Sequence, residues 1–147
     1  MKKLLTPFLL LAFIFVFSID GYAQCKGFTK KDCLPVLDPY IYNGQLNSAL
    51  LNEGDVAELL LTFYGNQEYR LLICSQEILG NVEFNLLDKD RNLIFSNKDH
   101  NYTNMWDFTS TSTQQLIIEV VIPESTNEGG NIVSGCVSIL MGFLSTE

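Results

Sequence analysis

The chain has 147 residues, of which 47% are hydrophobic and 18% charged, a balance that argues against intrinsic disorder. Its net charge is −8 and it holds one histidine, His100. That acidity argues against nucleic acid and anionic membrane surfaces as partners, and one imidazole leaves a triad or a His-rich metal centre little to use.

The chain opens as an export signal. Met1-Lys2-Lys3 is a short positive start, and Phe8–Phe17 is an unbroken apolar run of ten residues. A bilayer span needs about 20 such residues, so this run suits a signal peptide and no stable membrane insertion is expected after cleavage. Gly21-Tyr22-Ala23 places small residues at −3 and −1, which predicts a leader over 1–23 cut after Ala23. The mature chain then has about 124 residues, enough for one domain with one core. Loss of Lys2, Lys3 and Asp20 takes Lys+Arg from 9 to 7 and Asp+Glu from 17 to 16, for a mature charge of −9. Lipidation at Cys25 is the rival reading. Gln24 stands where a lipobox needs a small residue, and acylation would leave an odd number of thiols. The expected destination is the periplasm, the cell surface or the medium.

Cys25, Cys33, Cys74 and Cys136 all follow the cut. In an exported chain they read as disulfides, and no CxxC pair offers zinc a site. Parity suggests the pairing. Cys74 lies opposite the face carrying Tyr69, Leu71 and Ile73, and Cys136 opposite the face carrying Val137, Ile139 and Met141. Two such strands side by side predict Cys74–Cys136 and, by default, Cys25–Cys33.

Residues 24–54 read as an irregular N-terminal segment belonging to the same domain as a β body over 55–147. Lys26, Lys30 and Lys31 cluster here, Pro35 and Pro39 disfavour helix, and a solvated loop is expected. Asn43-Gly44 is a turn signal, and Gln45–Leu51 reads as a helical turn or a short edge strand. From 55 onward the pattern is β. Val56–Phe63 and Tyr69–Cys74 flank a Gly65-Asn66 turn. Val82-Glu83-Phe84-Asn85-Leu86 alternates and should send Val82, Phe84 and Leu86 to the core. Asp88–Asn92 is a hairpin connection into Leu93-Ile94-Phe95. Met105–Thr111, Leu116–Ile122 and Ile132–Phe143 complete the set. About seven or eight short strands without a long amphipathic helix predict an all-β fold, an antiparallel β-sandwich of jelly-roll or Greek-key type.

Two resemblances follow. Asn52-Glu53-Gly54-Asp55, Tyr69–Ile73, and Val82–Asp88 leading to Asn92–Phe95 resemble part of a pre-peptidase C-terminal-type domain, a small secreted β-sandwich. Tyr69-Arg70 followed by Cys74, Trp106-Asp107-Phe108 and Gly135-Cys136 resemble small exported proteins of Bacteroidetes-type bacteria. The first implies the sandwich; the second implies no activity.

Candidate chemistry is sparse. Asp88, Asp90 and Asn92 stand at the alternating positions that open a calcium loop, yet the following glycine and closing glutamate are missing and a strand connection explains them more simply. Asp99-His100 has no nucleophile motif beside it. Tyr40, Tyr42, Tyr64, Tyr102 and Trp106 fall in or near loops and strand ends. Trp106, Tyr102, Tyr40 and Tyr42 are the candidate binding residues, because aromatic faces stack on sugar rings or apolar side chains. The expectation is therefore an exported, non-catalytic binding or envelope-associated module with a protein or glycan ligand and no cofactor. A carbohydrate-binding module is the first alternative and a small hydrolase or inhibitor the second. Mass spectrometry of the exported protein is expected to find Gln24 at the N-terminus and no acyl chain on Cys25.

Overall fold

The structure, a computed structural model, describes residues 21–126 and 129–145. The expected leader lies almost wholly outside these residues. Among the described residues no helix is long and apolar enough to cross a membrane.

Nine strands form two antiparallel sheets, which is the expected sandwich. The first sheet holds β1 (Ile41–Tyr42), β2 (Asn47–Asn52), β4 (Gln67–Ser75), β7 (Met105–Ser110) and β9 (Ser134–Phe143). Its order is β1-β9-β4-β7, with β2 pairing the same edge of β9 further along. The second holds β3 (Val56–Phe63), β5 (Glu83–Leu87), β6 (Leu93–Ser96) and β8 (Gln114–Val121) in the order β3-β8-β5-β6. Of the Gln45–Leu51 alternatives, the edge strand is the one formed. Ile41–Tyr42, read as irregular, is a short strand because the end of β9 offers it a ladder at Gly142 and Phe143.

Alternation places the core. Val82, Phe84 and Leu86 point inward as expected, at 8%, 0% and 2% exposure. They meet Leu116, Ile118 and Val120 of β8 and Tyr69, Leu71 and Ile73 of β4. Each such large side chain contributes about 1.5–3 kcal/mol on burial. Strand β9 is buried on both faces. Val137, Ile139 and Met141 enter the main core, while Leu140 joins Leu72, Leu37 and Cys33 in a second cluster on the outer side.

The N-terminal segment builds that second cluster. It is not the expected irregular loop. Helix α1 (Gly21–Phe28) runs into a π-helical turn, Thr29–Cys33, and a 3-10 turn, Leu34–Leu37. Cys25, Thr29, Cys33 and Leu37 are all buried, and their spacing of four puts them on one helical face. That face lies on the outer side of β4 and β9. Thr29 Oγ1 donates to the Cys25 carbonyl at 2.8 Å and hydrogen-bonds Ser138 Oγ at 2.6 Å. Lys26, Lys30 and Lys31 stay on the solvent side. Further along, Gly142 lets the chain at Tyr40 close on the sheet, since a Cβ there would meet Tyr40 Cβ at 2.7 Å.

Both expected cysteine pairs are corrected. The bonds are Cys25–Cys136 and Cys33–Cys74. Cys25 and Cys33 are eight residues apart on a helical path, a rise of about 12 Å, well beyond a disulfide's usual Cα span. Cys74 and Cys136 do share a face of adjacent strands, but the register sets Cys74 opposite Ser138. Cys136 is then a diagonal neighbour, about 7–8 Å away and too far to bond. Each strand cysteine bonds upward to the segment above.

The two flanks of the sandwich differ. At the β6/β7 flank the Phe95 and Trp106 rings stack at 3.9 Å between centroids, with His100 at 5.0 Å from Phe95. Asn97, fully buried, fixes the turn carrying His100: its Oδ1 accepts from Phe84 N, and its Nδ2 donates to the carbonyls of Val82 and Thr103. At the other flank β3 is a sheet edge facing β2 without pairing to it.

Non-reducing peptide mapping is expected to recover the Cys25–Cys136 and Cys33–Cys74 peptides. Their sequence separations, 111 and 41 residues, correspond to about 5 and 4 kcal/mol in the chain-entropy account when each is taken alone. Replacing either pair with alanine should lower the urea midpoint accordingly.

Candidate binding cleft

The four aromatic residues singled out in the sequence do not form one platform. Tyr40 and Tyr42 belong to the β1 edge of the first sheet and Trp106 to β7 at the opposite edge. Tyr42 packs in the outer cluster, whereas Trp106 packs against the main core. Trp106 spends a ring face on Phe95. Tyr102 is half-buried, with its backbone in the left-handed region at φ 53° and its N–H on the Asn97 carbonyl at 2.9 Å.

Tyr40 is a clamp. Its hydroxyl donates to Glu68 Oε1 at 2.7 Å, and the Arg70 guanidinium lies over its ring at 4.3 Å. Arg70 also donates to both carboxylate oxygens of Asp107, at 2.8 and 2.7 Å, and to the Asp38 carbonyl at 3.1 Å. Burial, then the Glu68 hydrogen bond and the nearby negative charges, push the Tyr40 phenol up to about 12. This network fastens the residues before β1 to β4 and β7.

Of the Asp88, Asp90 and Asn92 set, the Asp88 carboxylate is occupied by turn geometry. Asp88 Oδ1 accepts from the backbone N–H of Asp90 and Asn92, both at 2.8 Å, and Oδ2 accepts from Asn92 Nδ2 at 2.9 Å. These bonds hold the Asp88 carboxyl below its ordinary value. The alternation that resembles a calcium loop is thus an Asx turn closing the β5–β6 hairpin. Among the described residues, no three His, Cys, Asp or Glu side chains are grouped to hold a metal ion. His100, beside Asp99, stacks on Phe95 and Trp106 at the closed flank.

The open flank carries the candidate site. A cleft of about 630 Å³ lies between the β3 edge and the ends of β1, β4 and β9. Its floor is main core: Leu61, Tyr69, Met141 and Phe143. Its rim is neutral and polar, with Asn43, Gln45, Thr62, Tyr64 and Gln67. Asp, Glu, His, Lys, Arg and Cys do not occur in its lining. A second, narrower groove of about 250 Å³ lies beside β2, over Ala49, Leu51, Leu59 and Val137. Glu58 borders that groove and is bound by Arg91 at 2.5 Å, which lowers its carboxyl.

Local chemistry explains the rim. Asn43-Gly44 turns the chain off β1: Asn43 Oδ1 accepts from Gln45 N at 3.0 Å, and Gly44 takes φ 86°. The Tyr64-Gly65-Asn66 arch carries the chain from one sheet to the other. Tyr64 N–H donates to Tyr69 Oη at 2.8 Å, and Asn66 takes φ 58°. Tyr64 is left 65% exposed at the lip. The turn signals at 43–44 and 65–66 were legible in the sequence. That these turns meet over one cleft was not, because the rim comes from separate elements brought together by sheet order.

No family model matches the sequence, and none of the curated proteins matches it. The structure is similar to that of Aeromonas hydrophila PliG, a periplasmic lysozyme inhibitor of g-type lysozyme, with a TM-score of 0.48 and 13% identity over 72% of this chain and 89% of that chain.

Because the folded Tyr40 phenol lies above its ordinary value of 10.0, its share of stability is complete below pH 10 and lost as pH rises through about 12. Tyr42, raised by burial, acts in the same direction. Urea midpoints measured from pH 10 to 12 should fall less steeply for Tyr40→Phe than for the parent.

Proposed function

We propose that this chain is an exported, non-catalytic binding module that takes its ligand in the open flank of the sandwich. One observation carries the reading: a concave site with an apolar floor and convergent polar groups, lined by no residue able to serve as a carboxylate or imidazole acid–base pair. The leader pattern and the oxidised state of all four cysteines support export. The partner is a protein or glycan of the envelope or its surroundings.

The test is a screen of envelope glycans and peptides against the parent and a Gln45→Trp variant, in which an exposed rim residue is replaced by one that fills the cleft. Ligands of the parent should bind the variant at least ten-fold more weakly. A ligand that binds both equally, or turnover of any substrate in a parallel hydrolase panel, overturns the reading.

A further inference from the structure

We infer that the cleft at the open flank takes an uncharged oligosaccharide, with Tyr64 as its stacking face and the Asn43, Gln45, Thr62 and Gln67 side chains as its hydroxyl partners. This rests on the cleft being the binding site and names what it holds.

Three observations carry it. The first is charge. The chain is strongly acidic, with 17 Asp and Glu against 9 Lys and Arg, yet the cleft's lining is uncharged. A phosphate, uronate or ammonium ligand would surrender its hydration there without meeting an opposite charge. A hydroxyl-rich neutral ligand loses little, since side-chain amides and hydroxyls both donate and accept.

The second observation is where the mouth keeps its hydrogen-bonding groups. An added strand needs free backbone donors and acceptors; β3, which pairs only with β8, offers them along its outer edge, whereas the N–H groups of the loops around the mouth are spent within the chain. Asn43 N–H donates to the Met141 carbonyl at 3.0 Å, Asn66 N–H to the Ser110 carbonyl at 2.6 Å, and Leu144 N–H to the Glu68 carbonyl at 3.1 Å. Gln45, Tyr64 and Gly65 N–H groups are taken by Asn43 Oδ1, Tyr69 Oη and Thr113 Oγ1. Opposite that edge the loops present side-chain groups and a ring, with Asn43 Oδ1 and Gln67 Nε2 already bonded within the chain.

The third is Tyr64 itself. It is the most exposed of the tyrosines placed at loops or strand ends, at 65%, and it sits beside the amides over an apolar floor. The apolar face of a pyranose ring stacks on such a phenol while its equatorial hydroxyls reach the rim.

The experiment is an NMR titration of the ¹⁵N-labelled mature protein with neutral cello-, manno- and chito-oligosaccharides. Oligogalacturonate is the charged control and an uncharged hexapeptide the peptide control. A neutral sugar should produce saturable shifts centred on Asn43, Gln45, Tyr64 and Gln67. Tyr64→Ala should weaken that binding about ten-fold or more, and Tyr64→Phe should keep it within about three-fold. Oligogalacturonate should leave the spectrum unchanged. Shifts at these residues from the peptide but from no sugar would overturn the ligand class and leave the cleft as the binding site. Sugar-induced shifts confined to Trp106 and Phe95 would overturn both. An unchanged spectrum with every neutral sugar would overturn the inference.

Discussion

The fold depends on covering the outer face of β4 and β9. That face carries Leu72, Cys74, Cys136, Ser138 and Leu140, too apolar to stay in water and too mixed to pack against another sheet. A segment with one residue in four facing inward covers it, and two disulfides prevent it from lifting away. Thr29 meets Ser138 between the two disulfides, so these two buried hydroxyls partner one another where unpaired they would cost stability. With this cover in place β9 becomes a central strand buried on both sides, and the register of its neighbours follows from it.

Among the described residues the second sheet has no such cover, and it solves its flanks unevenly. Rings from both sheets close the β6/β7 side, and Asn97 locks the turn behind them with three hydrogen bonds. On the β2/β3 side the rings of Phe63, Tyr69 and Phe108 pack together inside the core and not across the gap between β2 and β3. The core therefore comes close to solvent there, and Leu61, Tyr69, Met141 and Phe143 form the floor of a cleft instead of a sealed interior. The proposed binding site takes its rim from the neutral polar side chains around that floor.

Several signals in the sequence were local and held. Alternation at Val82, Phe84 and Leu86 sets the inward face of β5, and Asn43-Gly44 and Gly65-Asn66 mark the turns at the mouth. The Asp88–Asn92 run is a hairpin turn because one aspartate accepts three hydrogen bonds from the residues that follow it. The cysteine pairing misled because parity reports a face and not a register. Cys25, Thr29, Cys33 and Leu37 did carry a helical signal at intervals of four, but Pro35 and the lysines between them argued for a loop. The aromatics misled for a similar reason: proximity to a strand end does not say whether a ring turns inward, as Trp106 does, or outward, as Tyr64 does.

By itself, then, the amino-acid order determined the β class, the inward faces of the strands and the presence of oxidisable cysteines in even number. These are properties of neighbouring residues, governed by period-two geometry, turn preferences and composition. Tertiary structure alone decided which cysteine meets which, which flank closes, and which polar side chains share a cleft. Those depend on strand order and register, where residues as distant as Asn43, Gln67 and Phe143 become neighbours and a shift of one position would exchange every inward side chain for an outward one.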